Sequence, residues 1–323
     1  MTGERLLELL AETVRRSVLI GSLENGIIAG LDLEGRLFAV HKNKVLNRVL
    51  PSSIYGRCSR AAFLNPGGDA LWPAPEGTYF GYEYSTGSWR VPPAITGADW
   101  QIDSTSEDDS NLSSPDPDTR TLCAEIDLVN NRGIGIPCLF RRKICIENPS
   151  ASGFTQKVIE SIEYIGSRTI EEGEFLLAPW SLCQFDIEPE SEIRFPLPKE
   201  NDLWDLYASS EKQRRREREL CIVDPQTPQR FQLGLGASVP WIEYRCGSRF
   251  KVRRSVLDLS SDPRLIDIAD SDPGELPSSA GTKLSCYCDP SGFMEIEGCG
   301  SSPKKLVPGT IASVCITTEY TIL

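Results

Sequence analysis

Glu295 and Glu297 stand two apart in the run GFMEIEG at 292–298. On an extended chain alternate side chains share a face, so the two carboxyl groups point the same way. Some 200 residues earlier, residues 64–94 read LNPGGDALWPAPEGTYFGYEYSTGSWRVPPA. This stretch sets Trp72, Tyr79, Phe80, Tyr82, Tyr84 and Trp89 among the acids Asp69, Glu76 and Glu83. Aromatic rings offer flat apolar faces, with a polar edge on Tyr and Trp. Carboxylates accept hydrogen bonds from hydroxyl groups. Such a mixture suits a sugar site, and it equally suits a hairpin whose rings fill a β-core.

Other reagents are scarce. The chain contains no G-x-G-x-x-G, Walker A, H-E-x-x-H or G-x-S-x-G pattern. His41 is the single histidine and stands beside Lys42 and Lys44, so a Ser–His–Asp triad would have to use it. Carboxylates are the remaining acid/base groups. A glycosidase-type pair needs two of them flanking one bond, roughly 5 to 9.5 Å apart. Glu76, Glu83, Asp186, Glu295 and Glu297 are the candidates. Arg141 and Arg142 are neighbours on a strand-like run and face opposite ways, so one of them is a candidate to enter a site. Cys286, Cys288 and Cys299 lack a fourth ligand and a zinc spacing. The acids of 99–119 lack a calcium-loop register. No metal and no cofactor is expected.

The elements that must position these groups are mostly strands. Short apolar or alternating runs separated by Gly-, Pro-, Asn- and Ser-rich turns recur along the chain and imply an all-β sandwich or barrel. Leu122, Ala124, Ile126 and Leu128 alternate with Cys123, Glu125 and Asp127 at a period of two. Leu6, Leu10 and Val14 recur at helical spacing and predict a helix over 3–16. Residues 203–220 have the only other helical composition, with the RRRER run on a solvated helix or loop. Pro179 argues against a central strand at that point. The polar stretch 99–119 reads as a surface loop.

Composition narrows the function classes. The 323 residues are 40% hydrophobic and 25% charged, typical of a packed globular protein. A net charge of -12 disfavours nucleic acid. No apolar run is long enough for a spanning helix, and no secretory signal is recognisable. Eleven scattered cysteines, an odd count, predict reduced thiols, no disulfide and a cytoplasmic location.

Several segments in one order resemble the galactose mutarotase-like superfamily. They are NPGGDALWPAPEG, EIDLVNN with LFRRKICI, APWSLCQF, FQLGLGASVPWIEYRCGSRFKVRRSVL and GFMEIEGCGSSPKKLVPGT. The likeness is to bacterial branches of that superfamily more than to the aldose 1-epimerases themselves, and it covers most of 26–323. It implies a large antiparallel β-supersandwich, 26–323, preceded by an N-terminal helical segment and first strand, 1–25. It also implies a small carbohydrate bound on a concave sheet face. In aldose 1-epimerases a glutamate near the C-terminus takes the anomeric hydroxyl proton while a histidine protonates the ring oxygen. Glu295 or Glu297 matches the glutamate. No residue after position 41 matches the histidine. The expected function is therefore carbohydrate binding or processing without that histidine, the alternative being a non-catalytic structural or regulatory β-sandwich module. As an enzyme it would be a carbohydrate-active isomerase or glycoside hydrolase-like protein, with Glu295 or Glu297 as base and Glu76 as proton donor. Trp72, Tyr82 and Trp89 would face the sugar, with Arg141 or Arg142 and Trp180 at its sides.

Overall fold

A computed structural model describes residues 1–59, 62–82, 92–104 and 116–323. Two ten-stranded antiparallel sheets make up its body. In spatial order the first sheet runs Ser17–Gly21, Asn25–Gly30, Arg36–His41, Asp69–Ala74, Ala178–Asp186, Phe293–Cys299, Leu284–Asp289, Phe231–Leu235 and Leu203–Asp205, with Lys44–Val45 beside Arg36–His41. The second sheet is built on long strands, among them Thr119–Val129, Gly135–Ser150, Gly153–Tyr164, Phe250–Asp258 and Ile311–Ile322. Gly135–Ser150 and Gly153–Tyr164 alternate buried with half-buried positions, as expected for a sheet with one face on the core. The all-β antiparallel supersandwich expected from the sequence is the observed architecture.

The first sheet differs from the second. Asp69–Ala74 and Phe293–Cys299 are buried at every position, so their outer face is covered as well. Over Asn25–Gly30 and Arg36–His41 the cover is helical. Leu6, Leu9 and Leu10 of the helix Gly3–Glu12 pack with Ile54 of the helix Pro51–Tyr55 on Ile28, Phe38 and Val40. Over the strands from Asp69–Ala74 to Phe231–Leu235 the outer face instead lines a cavity.

The N-terminal helix stops at Glu12, short of the expected Arg16. Thr13 donates its hydroxyl to the Leu9 and Leu10 carbonyls, and Val14 turns to a φ of 54°. At the other end the Thr2 hydroxyl caps the helix by accepting from the Arg5 N–H at 3.2 Å. Removing that cap in Thr2→Ala is expected to cost about 1 kcal/mol, read as a lower urea midpoint at unchanged slope.

Two local expectations are corrected. Residues 203–220 form no helix of the predicted kind: Leu203–Asp205 is an edge strand, Glu211–Gln213 a single 3-10 turn, and Arg214–Glu217 pairs with Leu220–Val223. Leu203, Leu206 and Tyr207 have helical spacing, but no apolar residue continues it from 209 to 219, and strand partners at the sheet edges take up the chain instead. Pro179 does lie in a central strand, Ala178–Asp186. It faces Pro73 across the ladder, and its carbonyl still accepts from the Gly300 N–H at 2.9 Å. All eleven cysteines are free. No helix among the described residues is long and apolar enough to cross a membrane.

Candidate functional site

Register decides which side chains meet. Across the first sheet Trp72 pairs with Trp180, Leu182 with Glu297, Gln184 with Glu295, Glu297 with Ser285, and Tyr287 with both Glu295 and Gln232. Paired residues and their alternates share one face. This places two tryptophans, two glutamines, a tyrosine and both late glutamates on the outer face. They floor a cavity of about 330 Å³, with Glu76, Tyr207, Arg230, Asp270 and Asp289 around its mouth.

The floor is a hydrogen-bonded acid pair. Trp180 donates its indole N–H to Glu297 at 3.0 Å, and Gln232 donates Nε2 to both Glu297 oxygens at 3.1 and 2.9 Å. Gln184 donates Nε2 to Glu295 at 2.6 Å. The two carboxyl groups stand on one face of the same strand, and each perturbs the other. Burial pushes both above the ordinary carboxylate range. For Glu295 the neighbouring Glu297 charge adds to that push. For Glu297 hydrogen bonds from Ser285, Trp180 and Gln232 oppose it. Glu297, with donors from Trp180 and Gln232 on its oxygens, is therefore the better stabilised carboxylate, and Glu295, with Gln184 alone, the more strongly raised acid. The pair titrates as a unit.

That asymmetry has a stability consequence. A carboxyl group whose folded pKa lies above its unfolded value of 4.5 stabilises the fold fully below 4.5. The contribution is lost as pH rises through the folded value. Glu295→Gln keeps the amide contact without a charge to bury, so its urea midpoint is expected to fall less than wild type's between pH 5 and 9. Parallel curves for the two proteins would refute the raised, buried acid at Glu295.

Around the floor, Trp72 and Trp180 meet edge to face with centroids 6.3 Å apart. The Trp72 N–H donates to Glu34 at 3.3 Å, and Arg36 lies 5.9 Å from the Trp72 ring. At the mouth, Arg230 stacks 4.0 Å over Tyr207, which meets Tyr287 edge to face. Tyr287 donates its hydroxyl to Asp289 at 2.7 Å. The side-chain amide oxygens of Gln184 and Gln232 have no hydrogen-bond partner among the described residues.

Of the residues singled out from the sequence, Trp72, Glu76, Trp180, Glu295 and Glu297 line this one cavity. Three do not. Tyr82 is buried elsewhere and donates its hydroxyl to the Leu176 carbonyl. Arg142 points between the sheets, where it binds Glu160 at 2.7 Å and Asp69 at 3.3 Å. Arg141 points away from the core and pairs with Glu163 on the neighbouring strand. Both arginines belong to the second sheet, whose long strands never reach the first sheet's outer face. Trp89 and the candidate acid Glu83 fall outside the described residues. His41 is buried with Nδ1 2.8 Å from the Asn25 side-chain oxygen, and it is not among the residues lining the cavity.

Gln184, Tyr207, Arg230, Gln232, Tyr287, Asp270 and Asp289 also line the cavity without having been singled out for it. For Gln184 and Gln232 a signal existed: each is a lone amide inside an otherwise apolar strand. Of the mouth residues, Tyr207, Arg230 and Asp270 come from connections, where no periodicity marks them, while Asp289 ends the strand Leu284–Asp289.

No protein-family model matches the chain, and no curated protein sequence does. Solved structures do match it. A provisionally assigned aldose 1-epimerase from Escherichia coli K12 superposes with a TM-score of 0.54 at 13% identity, over 96% of this chain and 100% of the other. The fold is galactose mutarotase-like. A second provisionally assigned aldose 1-epimerase, from Klebsiella pneumoniae subsp. pneumoniae, gives a TM-score of 0.50 at 10% identity, over 96% of this chain and 79% of the other. At such identities the likeness is one of fold, and the mutarotase-like sandwich described here must be read for chemistry from its own side chains.

Proposed function

We propose that this mutarotase-like protein binds a small carbohydrate in the cavity over the first sheet and interconverts its anomers with the Glu295–Glu297 pair. The observation that carries the proposal is a pair of buried acids on one strand face, one favouring the proton and the other the charge, at the floor of a cavity walled by tryptophan. Indole faces suit the apolar face of a sugar ring, and the glutamines suit its hydroxyls.

The chemistry needs one proton accepted and one supplied. Glu297 accepts the anomeric hydroxyl proton, and that oxygen becomes the carbonyl of the open-chain aldehyde. The bond from the anomeric carbon to the ring oxygen breaks, its electron pair goes to the ring oxygen, and Glu295 protonates it. Both sugar oxygens are attached to the same carbon, so two adjacent carboxyl groups are well placed to serve both. After rotation about the C1–C2 bond, closure reverses the two transfers and returns the pair to its starting state. No histidine is required, and Glu76 at the mouth is left to orient a hydroxyl group.

A panel of freshly dissolved aldoses followed by polarimetry or by NMR exchange between anomers tests this. Acceleration of at least one aldose above the buffer rate is the expected result. Saturable binding without acceleration would favour the second reading, a non-catalytic carbohydrate-binding module, which the full burial of Glu297 under donors from Trp180 and Gln232 supports.

A further inference from the structure

Resting on that reading, we infer that the sugar this cavity selects carries a positive charge, an amino sugar, and that it rejects sugar phosphates and uronic acids. The inference comes from the charges around the bound position. Five carboxyl groups line the cavity, those of Glu76, Asp270, Asp289, Glu295 and Glu297, and Arg230 is the one cation among the described lining residues. Arg230 is already engaged: it lies over the Tyr207 ring and 3.8 Å from Asp270. One proton on the floor pair still leaves the cavity with excess negative charge.

That charge is felt inside the site. Beyond burial, Glu76 and Asp270 both disfavour ionisation of Tyr207. Glu76 likewise adds to the forces that keep Glu295 protonated, against an opposing pull from Arg36 beneath Trp72. A dianionic phosphate would have to enter against the same field. Among the described lining residues there is no lysine to receive it, and the single arginine already faces Asp270. A protonated amine reverses every one of these signs. An ammonium group has three N–H donors and no acceptor, which matches a mouth of carboxylates. Around the bound position the half-buried acids Glu76, Asp270 and Asp289 are the groups positioned to receive it.

Titration calorimetry at pH 6.5, where a sugar amine is largely protonated, compares glucosamine and galactosamine with glucose, galactose, N-acetylglucosamine and glucose 6-phosphate. Expected is binding of at least one amino sugar about tenfold or more tighter than its neutral counterparts, with the margin shrinking as salt is raised, and no measurable phosphate-ester binding. The variant Asp270→Asn should narrow the amine preference while neutral-sugar affinity changes less. A neutral sugar bound as tightly as every amino sugar, or a phosphate ester bound at all well, would overturn the inference and leave the carbohydrate reading standing. Absence of binding by every sugar in the panel overturns both.

Discussion

Glu297→Gln is expected to lower the rate of anomer exchange by about 10²- to 10⁴-fold while changing sugar affinity little, the range typical of losing a positioned general base. The amide has the shape of the carboxylate and can still accept the Trp180 N–H, so the cavity keeps its walls. What it loses is the ability to take a proton. Glu295→Gln is expected to be nearly as severe, because it removes the proton that the ring oxygen receives. The double variant should be little worse than either single one, since residues that act as a unit do not contribute additively. The pH profile follows from the same pair. Exchange requires one proton on the two carboxyl groups, so the rate should fall both where the pair is doubly protonated and where it is bare. Burial moves that window upward from ordinary carboxylate values. A Glu297→Gln protein within about threefold of wild type would remove the pair from the mechanism.

The acid pair was legible in the sequence because a strand has a period of two. Glu295 and Glu297 had to share a face wherever the strand lay, and the apolar residues between and beside them fixed a buried setting. Trp72 and Trp180 were legible as rings, and their meeting depended on a register that only the folded sheet supplies. Arg142 shows where local reasoning stops. Alternation said that one of Arg141 and Arg142 points inward, and it does. Inward on the second sheet means the space between the sheets, where an arginine needs acids rather than a ligand. Nothing local to residues 140–143 says which sheet the strand joins. Tyr82 misled for a related reason: beyond Asp69–Ala74 the chain leaves the ladder, and the period of two no longer assigns a face. Pro179 was misjudged because the rule against proline in central strands concerns the missing N–H, and the register here sets it opposite another proline.

Arg254→Met is expected to destabilise the protein by about 3–5 kcal/mol, the cost of breaking a buried ion pair from one side. Arg254, Arg142, Asp69 and Glu160 are all buried between the sheets. The Asp69 carboxylate accepts from Arg254, from Arg142 at 3.3 Å and from the Ser181 hydroxyl at 2.8 Å. Two cations and two acids balance, so removing one guanidinium leaves an uncompensated carboxylate in the core. Urea unfolding measures the cost. Asp69→Asn added to Arg254→Met restores the balance and should recover part of it, whereas Arg141→Met, on a half-exposed pair, should cost under about 1 kcal/mol. A loss below 1 kcal/mol for Arg254→Met would show that the network is not holding the sheets together. The same arginine also reaches the back of the cavity. Its Nη1 donates to the Ser181 carbonyl at 3.2 Å and to the Ile296 carbonyl at 3.0 Å. Ser181 lies between Trp180 and Leu182, and Ile296 between Glu295 and Glu297, so one guanidinium ties together the two strands whose opposite faces supply the cavity floor. Arg254→Met should therefore lower exchange activity even in the folded fraction, through the spacing of the acid pair.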